Sequence, residues 1–154
     1  MCKQEFTGLV QLRLAIALWA KYSHLEETNG MRIDAVTSYA AALGDAGEHT
    51  EAVRLKRGVL DVQTRTFGAE DHITLSCASN LAGSLLHLGE IAEAVVLVRS
   101  TLAVLTRTVG PHDEYTLAIE TNLVIVLSRL GEYAEAEALG RGTLEKMRRD
   151  FGPG

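Results

Sequence analysis

The sequence predicts an all-α fold, a solenoid of stacked antiparallel helix pairs about three and a half repeats long. Three observations predict it. A block of residues recurs every 42 positions along the 154-residue chain. Within each block apolar residues return at three- and four-residue spacing, the period of a helix with one buried face. Proline, which interrupts helices, occurs only at Pro111 and Pro153, whereas leucine and alanine are abundant.

The repeat is clearest at three junctions: Gly47-Glu48-His49-Thr50-Glu51-Ala52, Gly89-Glu90-Ile91-Ala92-Glu93-Ala94 and Gly131-Glu132-Tyr133-Ala134-Glu135-Ala136. Leu60, Leu102 and Leu144 keep the same step, as do Arg57, Arg99 and Arg141, and Gly68, Gly110 and Gly152. Between the second and third units the match extends to Thr74/Thr116, Leu75/Leu117, Asn80/Asn122, Leu81/Leu123 and Pro111/Pro153. Such self-similarity at a fixed period marks a repeat architecture.

The elements follow in order. Residues 1–30 form a lead with one helix, about 8–25. Val10 falls on Ala52 and Leu18 on Leu60, so this is the second helix of a partial repeat. Its apolar residues (Leu9, Val10, Leu12, Leu14, Ile16, Leu18 and Trp19) go round more than one face, which predicts burial from several sides. Repeat one, 31–72, carries helices near 33–46 and 51–66; repeat two, 73–114, near 75–88 and 93–108; repeat three, 115–154, near 117–130 and 135–150. In repeat two Thr74 is the expected helix cap, and Leu75, Ala78, Leu81, Ala82, Leu85 and Leu88 form one apolar face that ends at Gly89. Val109-Gly110-Pro111 breaks the partner helix. Glutamates at the start of each second helix and arginines near its end suit the helix dipole.

Composition excludes several functions. A net charge of −5 gives no basic footprint, so no nucleic-acid partner is expected. Cys2 and Cys77 form no CxxC pair, which argues against a disulfide scaffold or zinc site and fits a reducing compartment. Gln11 and Arg13 interrupt the apolar stretch from Leu9 to Trp19, which is too short to span a bilayer, and the N-terminus lacks a signal-peptide pattern. The expected address is cytoplasmic, with no membrane partner. Asp71-His72 and His112-Asp113 lack a third clustered ligand, so no metal is expected. No nucleophile–base pair, phosphate loop or paired carboxylate suggests an enzyme or a cofactor.

Leu81-Ala82, Leu85, Gly89 and Ala94 resemble the tetratricopeptide repeat (TPR) pattern, whose usual unit is ~34 residues. The longer unit here is similar to the repeats of kinesin light chains. Its third copy carries Thr116-Leu117, Asn122-Leu123, Leu127, Gly131, Tyr133, Glu135-Ala136-Glu137, Leu139, Arg141 and Leu144. The resemblance covers about residues 31–153 and implies a right-handed superhelix that serves as a protein–protein interaction scaffold. Leu43, Leu85 and Leu127 stand where tyrosine is common, and Lys56 and Gly140 where a buried aromatic is usual, which predicts a looser array. HEAT-type repeats have a similar period, but the Gly-Glu-x-x-Glu-Ala junction favours TPR.

The resemblance further implies that the first helices line a concave groove for a peptide or partner helix. The matching positions are Thr37 and Ser38 in repeat one, Ser79, Asn80 and His87 in repeat two, and Thr121, Asn122 and Arg129 in repeat three. An amide both donates and accepts, so Asn80 and Asn122 can hold a peptide backbone without reading its sequence; alternatively they tie neighbouring helices together. No lysine falls on this face, which argues against a clamp for a C-terminal carboxylate. The arginines Arg57/Arg99/Arg141 and Arg65/Arg107/Arg149 read as a solvated, paired face. Without a capping helix after Gly154, Ala136, Leu139, Thr143, Leu144 and Met147 should form an apolar edge open to self-association or further repeats. Two alternatives remain: a sensor or regulatory segment of a larger signalling ATPase, and a structural self-associating array.

Overall fold

The computed structural model describes residues 3–152, so Cys2, Pro153 and Gly154 lie outside the described residues. Among these residues are seven α-helices and no strand: α1 (Lys3–Tyr22), α2 (Gly30–Asp45), α3 (His49–Phe67), α4 (His72–Leu88), α5 (Ile91–Thr108), α6 (Glu114–Leu130) and α7 (Tyr133–Phe151). The predicted helices are all present. None is long and apolar enough to cross a membrane.

The first helices α2, α4 and α6 begin earlier than apolar periodicity predicts, and their caps explain why. The Asp71 side chain accepts from the backbone N–H of Ile73 and Thr74 at 2.9 and 3.4 Å. Asp113 does the same for Tyr115 and Thr116, and Asn29 for Met31 and Arg32. The cap of α4 is therefore Asp71, not Thr74, which is 3% exposed inside the helix. An Asx side chain reaching the open N–H groups of the first turn is the usual solution there. Asp113→Ala should cost about 1 kcal/mol, read by thermal melting, whereas Asp113→Asn should cost much less.

Helix ends follow the glycines. At Gly131 the backbone is left-handed (φ 96°), and the Glu132 N–H reaches back to the Leu127 carbonyl at 3.0 Å. Only glycine takes that conformation without strain, and the chain reverses into α7 there. The lead helix stops at Tyr22 rather than near residue 25, because a turn in which the Leu25 N–H bonds the Tyr22 carbonyl at 3.1 Å replaces its last part.

The chain forms two compact units, Met1–Leu88 and Gly89–Gly154. In the first, α1 packs on α2, α2 on α3 and α3 on α4. Val36, Ala40 and Leu43 of α2 meet Ala52, Leu55 and Val59 of α3, with Leu12 and Trp19 of α1 packed against them. Trp19 stacks on Tyr39 at 6.4 Å. Within this chain α1 is covered on one face: Leu9, Val10, Leu14 and Ile16 are 46–61% exposed, and Ala15 is its one buried residue among those described. One face of α1 suffices for α2, and nothing described covers the rest.

In the second unit α5 packs on α6 and α6 on α7. Leu117, Ile119, Leu123, Val126 and Leu127 of α6 are buried. The aliphatic residues at the usual tyrosine positions, Leu43, Leu85 and Leu127, are themselves buried, so those sites are closed rather than loose. Gly140 sits beside Val124 of α6 without crowding: a Cβ there would meet the Val124 methyls at ordinary contact distances of 3.7 and 3.8 Å. The expected apolar edge on α7 is narrower than predicted. Ala136 and Thr143 are buried, Leu139 and Met147 half-buried, and only Leu144 is largely exposed. Glu137 and Gly140 stand in register with Val95 and Val98, which thins the apolar surface.

Candidate functional site

The side chains with chemistry to offer fall in four groups. The first is the polar stripe of the first helices. In the first unit Thr37 and Ser38 lie exposed on α2, Asn80 and His87 exposed on α4, and Ser79 half-buried beside them. In the second unit Thr121, Asn122 and Arg129 lie exposed on α6. The periodicity that buries Leu81, Ala82 and Leu85 turns Asn80, Gly83 and His87 outward, and α6 repeats this with Asn122, Ile125 and Arg129.

Among the described residues neither the Asn80 nor the Asn122 amide has a hydrogen-bond partner, so they tie no helices together. Each amide keeps its donors and its acceptor for solvent or a ligand. Thr121 differs, because its hydroxyl donates to the Leu117 carbonyl at 3.0 Å. His87 stacks on His49 at 5.3 Å, which fixes its ring at the edge of the stripe. Arg129 has no carboxylate partner among the described residues.

The second group is the arginine face of the second helices, and it is paired. Arg99 bonds Glu135 at 2.8 Å, Arg65 bonds Asp61 at 3.1 Å, and Arg141 pairs with Glu137. Exposed pairs of this kind hold geometry more than stability.

The third group is isolated titratable residues. His112 Nδ1 meets Asp150 at 2.6 Å and ties the loop before α6 to the end of α7, while Asp71 and Asp113 serve as caps. No three metal-ligating side chains cluster among the described residues. The Cys77 thiol is pushed up by burial, the wrong direction for a nucleophile. Lys56, at a usual aromatic position, is half-buried and donates to Ser84 Oγ at 2.7 Å. Burial pushes its ammonium below the ordinary lysine range, and Asp45 opposes this.

The fourth group is one that helical spacing alone does not single out. Glu120 is 5% exposed on α6, and it accepts from Thr143 Oγ1 at 2.8 Å and from Lys146 Nζ at 2.6 Å. In repeat register Glu120 stands where Val36 and Ala78 are apolar, and Lys146 where Val62 and Val104 are. Two charged exchanges at core positions of one repeat are the available signal. The pair joins α6 to α7, and its bonds are spent on the fold.

Known proteins place this geometry. The tetratricopeptide repeat family model matches residues 33–107 and, overlapping, 74–149. Two crystal structures of a candidate kinesin light chain from Podosopora anserina with nearly identical TPR-like repeats, one of them a point variant, are similar at 25% identity and TM-score 0.79. Each alignment covers 90% of this chain and 64% of that one. BtubC (BKLC) from P. vanneervenii shares the fold at 17% identity and TM-score 0.65, over 99% of this chain and 60% of its own. The chain thus spans under two thirds of the length of these structures. No curated protein matches it.

Proposed function

The chain belongs to the tetratricopeptide repeat family, whose repeats generally serve as protein-interaction scaffolds, and from that premise we propose that it captures an extended peptide or partner helix on its first helices. The observation that carries this reading is the pair Asn80 and Asn122. They occupy equivalent positions, are exposed, and lack internal partners among the described residues. A buried or internally bonded amide would be committed to the fold; these are not. Thr37, Ser38, Ser79, His87 and Arg129 supply further polar contacts, and Thr121 keeps its acceptor lone pairs. An extended peptide is held by hydrogen bonds to its backbone and a helix, whose backbone is already bonded, through its polar side chains, with no chemical step. The proposed compartment is the cytosol, which suits the free Cys77 thiol.

Affinity capture with the whole chain tests this reading. A partner held by the wild type should be lost, or weakened about tenfold, with Asn80→Ala/Asn122→Ala, while the melting temperature stays put. A partner retained equally by both would sink it.

A second reading, self-association, is favoured by the exposed Leu9, Val10, Leu14 and Ile16 on α1. Sedimentation at rising concentration should then show a dimer that Leu14→Glu/Ile16→Glu abolishes. A strict monomer removes this reading and leaves the first intact.

A further inference from the structure

Between α1, α2 and α3, all in the first unit, lies a cavity of about 240 Å³. It is a pocket half-open to solvent rather than a sealed void, so a small ligand can enter it from the surface. Its walls are Ile33, Val36, Leu55, Val59 and Val62, with the Trp19 ring on one side. Gly58 leaves one wall open, since a Cβ there would meet no atom within 4 Å.

The rim is charged, and its charges are not equally committed. Arg54 is held by Glu51 at 2.8 Å, and Glu27 pairs with Arg65 at 3.5 Å. Arg32 is different. It donates to the Leu25 carbonyl at 2.6 Å and lies 5.6 Å over the Trp19 ring, but no carboxylate pairs with it among the described residues. A part-buried guanidinium with spare donors beside an apolar hollow is a receptor for a planar anion.

The residues that make the cavity are departures from the repeat. Arg32 stands where Thr74 and Thr116 are buried, Arg54 where Val96 and Ala138 stand, and Trp19 where Asp61 and Ala103 stand. Three independent departures that converge on one space argue against a mere packing defect.

We infer that this cavity binds a small organic monocarboxylate with an apolar body the size of a single aromatic ring and a short linker. The apolar walls take the body, and Arg32 takes the carboxylate through paired N–H donors. Glu27 on the rim disfavours a multiply charged head such as a phosphate dianion. The site is separate from the polar stripe of the first helices, so it stands or falls independently of the peptide reading.

Trp19 is the sole tryptophan of the chain, so its emission reports the site directly. Titration of the full chain with 3-phenylpropionate should change that emission saturably, with calorimetry giving one site. The neutral 3-phenylpropionamide should bind about tenfold more weakly, because it forfeits the charge-assisted bonds. Arg32→Gln should bring acid and amide to within about twofold, and Gly58→Leu should abolish binding of both by filling the hollow. Saturable binding with that pattern supports the inference. Equal affinity for acid and amide on the wild type, undiminished binding by Gly58→Leu, or no saturable change at millimolar acid would overturn it.

Discussion

Replacing Lys146 with methionine should destabilise the chain by about 2 kcal/mol, because it strands the Glu120 carboxylate. Glu120 is 5% exposed and receives its charge-assisted bond from Lys146 Nζ at 2.6 Å. Methionine keeps the bulk of the lysine stem, so lost packing contributes little. Thr143 can still donate to Glu120 and Lys146 is partly exposed, which is why the loss falls below the usual cost of breaking a fully buried pair. The informative comparison is Glu120→Ala/Lys146→Val, which copies Ala78 and Val104 from the preceding repeat. That double variant should stay within about 1 kcal/mol of the wild type, since an apolar replacement removes both desolvation costs together. Urea unfolding followed by circular dichroism reads both. A single variant as stable as the wild type would show that Glu120 is solvated, not buried.

Leu127→Ala should cost about 3 kcal/mol in the same assay. Leu127 is fully buried in α6, so truncating its side chain opens a cavity in a closed site. Ile125→Ala is the control: it lies two residues away on the same helix and is 49% exposed. Its loss should stay near ~0.5 kcal/mol. The contrast separates a closed aliphatic site from the loose one that the missing tyrosine suggests. Comparable losses at both positions would mean that α6 packs with a different face inward.

The fold is legible because a solenoid writes its geometry into its period. Gly47, Gly89 and Gly131 mark the turns where positive φ is required, and the leucines between them mark the buried stripe. The helix starts are harder to read for a physical reason. Apolar periodicity begins with the first residue that packs, such as Leu75, whereas the helix begins with the side chain that satisfies its open N–H groups, Asp71. Asn29, Asp71 and Asp113 keep the 42-residue step, so the signal is present in residues that look like loop. The outward face of the stripe is legible from the same periodicity, because positions between buried leucines must point away. The Glu120 pair and the first-unit cavity are not. Each depends on how far apart two or three helices sit, which one repeat's spacing does not encode.

The proposed partner contacts are the exposed asparagines of the first helices, Asn80 in the first unit and Asn122 in the second. The chain's three asparagines make these contacts directly measurable by NMR of the side-chain amides. Adding a captured partner should shift the amides of Asn80 and Asn122. Asn29, whose carbonyl oxygen caps α2, should stay unmoved as the internal control. Perturbations confined to the second helices, with Asn80 and Asn122 unshifted at saturation, would contradict the account.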